Sequence, residues 1–278
     1  MKEIMRKLLP LHILIVLLIT LTLWSTISWN GSDTLVWLTT AKNIAALAVS
    51  GFLVRLFIRH LMENVPPMRQ EHRIITLLIL FLLFDPLNPW WIFLILGAVT
   101  ELCQYFFRSP LGPIFNPAAL GALILSVLGY LPSWWGVNPA PRFTLLHMEG
   151  SAIAWLLAFG FAYVAYKYRK LSVVLATILA FSISYIIFIQ QSPLPLIING
   201  TLLFFILVMT CEPKTSPNPR KEQWLYGSII GFLVSLGFFL NFLEASLIAL
   251  LIANLYTSRV FLIQLILPKP SPQTKQVA

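Results

Sequence analysis

The sequence predicts an all-α polytopic membrane protein of about ten transmembrane helices, and three observations carry that expectation. Hydrophobic residues make up 58% of the 278 positions and charged residues only 10%, at a mean hydropathy of +0.84; such a chain has lipid as its solvent. Apolar stretches near bilayer length recur from end to end, and the cations fall in alternate loops between them, as the positive-inside rule expects. A net charge of +9 is thereby explained by the membrane, and no nucleic-acid partner is expected.

The apolar stretches run roughly 8–29, 34–58, 74–84, 90–107, 117–131, 151–166, 171–189, 194–211, 224–240 and 242–267. The first follows a short basic lead without a small-residue cleavage site, so it reads as an uncleaved span. The third is short and ends at Asp85-Pro86-Leu87-Asn88-Pro89. After the fourth, Pro110, Pro113 and Pro117 each delete an amide donor and push the preceding residue away from helical dihedrals. Backbone broken at membrane depth is tolerated where protein buries it or where it lines a cavity. Asn116 reads as the N-cap of the next helix and Pro117 as its first-turn proline. Ala118 to Gly121 are mostly small, which allows a helix or a ring to approach closely.

These stretches form a single membrane domain over 1–267. Its halves, about 1–131 and 151–267, are joined by an outer loop at 132–150, and 268–278 is a short cytoplasmic tail. With ten spans the cations of the alternate loops share one side, which places both termini in the cytoplasm; only Arg142 and Lys42 depart from the bias. Cys103 and Cys211 lie within or at the end of apolar stretches and read as small buried hydrophobes. The two halves echo each other. Thr76-Leu77-Leu78 leads to Asp85-Pro86, Asn88-Pro89 and Trp90; Thr201-Leu202-Leu203 leads to Glu212-Pro213, Asn218-Pro219 and Trp224. With five spans per half the second copy enters from the other side, giving a 5+5 inverted repeat with interrupted helices.

Charge inside a bilayer needs an explanation. Lys42 and Glu101, counted from the outer ends of their spans, reach similar depths and would explain each other, either as a structural pair or as an ion pathway. The patterns of a phosphate loop, a zinc protease and a serine hydrolase are absent. The four histidines are not spaced to hold two haems within the bilayer. Tryptophans such as Trp90, Trp91, Trp134, Trp135 and Trp224 stand at span ends, where an aromatic belt accounts for them.

Several of these segments carry a family resemblance. Asp85 to Trp91, Ile114 to Gly121, and Met209 to Pro217 followed by Leu225-Tyr226-Gly227 resemble, in order, motifs of the RnfD/NqrB family, the membrane subunits D and B of the Rnf and sodium-pumping NADH:quinone oxidoreductase complexes. Phe242-Leu243-Glu244-Ala245 and Leu251-Ile252-Ala253-Asn254 echo two more, so that the likeness covers roughly residues 45 to 265. The resemblance implies an inner-membrane subunit of a flavin-based electron transport complex in bacteria, coupled to Na+ or H+ movement, working with other membrane and peripheral subunits. It marks Asp85, Glu212 and Glu244 as motif residues. It implies a non-covalent riboflavin or FMN at Phe115, Asn116, Pro117, Ala118 and Gly121, although Pro113 stands where the family has its first Asn. The family's FMN-bearing threonine motif is not found, since the loop 131–150 holds only Thr144. The alternative from another class is an inverted-repeat transporter or channel-like module for a small solute or ion, without a redox role.

Overall fold

The computed structural model describes residues 2–30, 34–61, 70–109, 112–137 and 151–266; for 2–9, 29–30, 151–152 and 260–266 only the backbone is described. The described chain is helical apart from one two-stranded hairpin. The helices α1 (Lys2–Asn30), α2 (Thr34–Leu61), α3 (Gln70–Leu83) and α4 (Trp90–Phe106) precede the hairpin, in which β1 (Arg108–Ser109) pairs antiparallel with β2 (Gly112–Pro113). Then follow α5 (Pro117–Val127), α6 (Ser151–Lys167), α7 (Leu171–Ile189), the four-residue α8 (Leu194–Ile197) and α9 (Gly200–Phe204), which runs on as a π-helix through Phe205–Met209; α10 (Arg220–Phe239) and α11 (Ala245–Ile266) complete the chain.

Pro10–Ser28, Thr34–Leu61 and Leu171–Ile189 are long and apolar enough to cross a membrane. Trp90–Phe106, Pro117–Val127, Ile153–Lys167, Gly200–Met209 and Ala245–Arg259 are shorter apolar helices. Large apolar side chains cover the outside as well as the core, among them Leu38, Phe57, Leu156 and Ile187. An apolar exterior over a packed interior is what lipid selects, and this is an integral membrane protein.

Two helix pairs dominate the packing, α7 with α10 and α2 with α4. Both depend on missing side chains. A Cβ on Gly227 would sit 2.6 Å from the Val173 carbonyl, and one on Gly231 would sit 2.7 Å from Phe181 N. Between α2 and α4, Gly97 meets Ser50 Oγ and the Leu47 carbonyl in the same way. Small residues thus let backbones meet in a medium that supplies no hydrophobic drive between helices.

The outer loop expected at 132–150 is partly an inward-folded segment. Trp134 N and Gly136 N donate to the Leu83 and Leu82 carbonyls at 2.8 and 3.0 Å, Trp135 Nε1 donates to the Phe81 carbonyl, and Ser25 Oγ donates to the Gly136 carbonyl. α3 ends inside the protein, so its last carbonyls lack a next helical turn and this segment supplies their donors. Trp134 and Trp135, expected in an aromatic belt, are therefore core residues at 8% and 2% exposure, whereas Trp90, Trp91 and Trp224 are exposed. Residues 138–150, with Arg142, Thr144 and His147, lie outside the described residues.

Candidate functional site at the basic end

Arg55 and Arg59 in the last turns of α2, Arg73 in the first turn of α3, Arg108 just after α4 and Lys170 just before α7 lie toward one end of the bundle, where Asn116 opens α5. Asn116 caps α5: its Oδ1 accepts from Ala119 N at 3.0 Å, with Pro117 in the first turn. Its Nδ2 donates to the Met209 carbonyl at 3.3 Å, and its backbone N donates to Asn254 Oδ1 at 2.8 Å. Asn254 in turn donates from Nδ2 to the Tyr226 hydroxyl and the Thr215 carbonyl, at 2.9 and 3.4 Å. One cap thus ties α5, the π-helix, α10 and α11 together. The cap itself was readable from Asn-Pro; its partners 93 and 138 residues away were not.

Beside this knot a small cavity of about 30 Å³ opens among α1, α3, α5, α6 and the π-helix, enough for an ordered water. Asn116 and Ala118 line it together with His72, Tyr168, Cys211 and Glu212. The Tyr168 hydroxyl is buried without a hydrogen-bond partner among the described residues. Glu212 accepts from Thr215 Oγ1 at 3.1 Å, and burial pushes its carboxyl up to about 7 against the pull of that bond and of Lys214. A buried phenol with nothing to bond, next to a carboxyl that titrates near neutrality, is a polar wall awaiting a ligand or a proton.

Lys170 closes the same end. It is 1% exposed, and its Nζ donates to the Ser216 and Pro217 carbonyls and to Asn218 Oδ1 at 3.0, 2.7 and 3.1 Å. Desolvation lowers its ammonium to about 8. In the sequence it is one cation in the run Lys167, Arg169, Lys170, and nothing in that run distinguishes the buried member from its neighbours.

The family model described as NQR2, RnfD, RnfE family matches residues 141–266. The segment 141–266 is similar to that family. No curated protein matches the chain. The matched segment carries Lys170, Tyr168, Met209, Glu212, Tyr226 and Asn254, most of the basic-end constellation. The likeness expected from residue 45 onward is thus matched over its second half, and the Asp85 and Asn116 motifs stand before the matched segment.

The remaining expected residues fall as follows. Phe115 packs edge-on against Phe107, with centroids 5.6 Å apart, and Gly121 gives Thr100 of α4 the room a side chain would take. Asp85 Oδ1 accepts from Leu87 N at 2.8 Å, closing its own turn. Glu244 is buried and precedes α11, where its carbonyl accepts from Ile248 N at 3.1 Å; its Oε2 has no partner among the described residues.

Lys42 and Glu101 do not explain each other. Glu101 is ion-paired with Arg73 of α3, and Lys42 lies on the exposed face of α2. Its neighbour Asn43 fixes the level, donating from Nδ2 to the Pro86 and Asn88 carbonyls at 2.7 and 2.9 Å. Lys42 is therefore level with the α3–α4 turn, while Glu101 lies about 17 Å farther along α4 at 1.5 Å per residue. The depths looked equal because both were counted from span ends, and the α3–α4 turn is sunk relative to the start of the 28-residue α2.

Proposed function

We propose that this protein is a membrane subunit of an Rnf- or Nqr-type electron transport complex, transferring electrons in partnership with other membrane and peripheral subunits and coupled to Na+ or H+ movement. The observation that carries the reading is that the segment matched by the family model supplies half of the polar wall of the basic-end cavity, Tyr168, Cys211 and Glu212. A non-covalent riboflavin or FMN does not fit this cavity: its volume of about 30 Å³ beside the unpartnered Tyr168 hydroxyl takes a water and not an isoalloxazine. Glu212, half-protonated near pH 7, would exchange a proton with that cavity at its carboxylate. The Asn116 amide takes no part in ligand binding in this scheme, because both of its polar atoms already have partners.

The scaffold reading goes with it. The α2–α4 pair, anchored by Asn43 on the turn after α3, mirrors the α7–α10 pair, anchored by Lys170 on the loop after the π-helix, and the two anchors stand at opposite ends of the bundle. This supports five plus five spans related by inversion. The basic end faces the cytoplasm of a bacterial inner membrane, with both termini inside.

Assembled with its partner subunits, the protein should support redox-driven Na+ or H+ uptake into vesicles, and Glu212→Gln should reduce that uptake while the elution profile of the fold is kept. A folded wild type that moves a solute across vesicles with no redox partner would overturn the redox reading. It would favour the second one, a solute or ion transporter, to which the interruption at 198–199 between α8 and α9 lends support.

A further inference from the structure

A second cavity, a groove of about 440 Å³, opens between α2, α3 and α4 at the basic end, beside the cavity described above and sharing only Thr76 with it. Arg55 and Arg59, one turn apart on α2, and Arg73 of α3 line it. Glu101 is the acid that lines it among the described residues, and Glu101 is taken by Arg73. Two guanidinium charges are left over at a helix surface, close enough to repel each other; a bound anion would relieve that repulsion.

The uncharged lining narrows the ligand. Arg73 Nε and Gln104 Oε1 are buried with no hydrogen-bond partner among the described residues, and so is the Thr100 hydroxyl. Guanidinium donors suit phosphate oxygens, but Gln104 Oε1 can only accept, and a phosphodiester has no proton to give it. The complete ligand therefore carries a phosphate and a hydroxyl. The groove is also walled by Phe52, Leu56 and Ile74, which are 56%, 45% and 43% exposed on the outer face of the helices. A soluble anion has no use for that wall, whereas an acyl chain does.

We propose that this groove binds a phosphatidylglycerol-type anionic phospholipid, the arginines holding its phosphate, Gln104 its headgroup hydroxyl, and Phe52, Leu56 and Ile74 its acyl chain. The detergent-purified full chain would be titrated with short-chain phosphatidylglycerol, phosphatidylcholine and inorganic phosphate while its thermal unfolding is followed. Phosphatidylglycerol should raise Tm saturably and the other two should not. Arg55→Gln plus Arg59→Gln should weaken the apparent affinity about thirtyfold, the loss of two arginine–headgroup attractions. Equal stabilisation by phosphatidylcholine would show ordinary solvation by lipid, and stabilisation by inorganic phosphate would show a free-anion site; either sinks the proposal. Undiminished affinity in the double variant sinks it too. Should that variant not fold, the three-ligand comparison on the wild type decides alone.

Discussion

The α2–α4 and α7–α10 pairs do the same job by different chemistry. Each joins a long helix to one that follows a sunken break, and each holds that break by a polar side chain donating to carbonyls of the loop. In the first pair the donor is the neutral amide of Asn43, and in the second it is the buried ammonium of Lys170 with three acceptors. The closeness of packing differs as well. Gly227 and Gly231 bring α10 against α7 over two turns, whereas α2 and α4 meet at Gly97 and then part around the arginine groove. A charged clamp goes with the tightly closed pair, and a neutral clamp with the pair that leaves a cavity.

The largest test of that contrast removes each clamp. Lys170→Met strands three buried acceptors and should cost about 3 kcal/mol or more, because hydrogen bonds to charged groups are the costly ones to lose. Asn43→Leu should cost about 1 kcal/mol. Denaturant unfolding in detergent measures both, and equal losses would break the distinction.

Overpacking comes next. Gly231→Leu must push α10 off Thr177 and Phe181 and should cost about 1–3 kcal/mol. The effect should be read as slower-migrating or less thermostable protein, while Gly51→Ala, whose Cβ would meet the Gly97 carbonyl at an ordinary 3.6 Å, should be nearly silent. Cutting the knot between the halves follows, with Asn254→Leu leaving Asn116 N–H and the Thr215 carbonyl without their partner. About 1–2 kcal/mol of stability should be lost in the same unfolding assay.

The smallest effect is a pH dependence. Glu212, raised from 4.5 to about 7 by burial, binds more protons folded than unfolded, so its contribution is full below 4.5 and is lost as pH rises through 7. Lys170, lowered from 10.5 to about 8, binds fewer protons folded, so its contribution is present above 10.5 and is lost as pH falls through 8. Between about 7 and 8 both buried charges are present, and thermal stability should pass through a shallow minimum. Glu212→Gln should remove the acid-side limb and Lys170→Met the alkaline one.

The breaks of this fold were legible in the sequence because prolines act locally. Asn116-Pro117 opens α5 as expected, Asp85-Pro86 follows α3, and Glu212-Pro213 follows the π-helix. Burial inside lipid was less legible, because apolar residues are needed on both the core and the lipid face. That is why Trp135 read as an interfacial belt residue and Lys170 as one loop cation among several. The 194–211 stretch read as one continuous span, since its composition is apolar throughout; Asn199, whose side chain caps α9 by accepting from Thr201 N at 2.9 Å, is the signal that it is two. The Lys42–Glu101 pairing failed for the reason already given: sequence counts residues along helices and is blind to how deep each helix begins.

The π-helix from Phe205 to Met209 has a consequence for which face of this helix is presented where. Each residue in a helix turns its successor by about 100°, and a π-turn takes in one more residue than an α-turn. Everything from Thr210 onward is therefore rotated out of phase with Thr201 and Leu202. Thr201, Leu202 and Phe205 look into a cavity shared with α10 and α11, while Leu207, Val208, Cys211 and Glu212 look into the cavity at the basic end. A short helix without that extra residue would show both cavities a single stripe; this one serves two chambers on different sides, from ten residues of backbone.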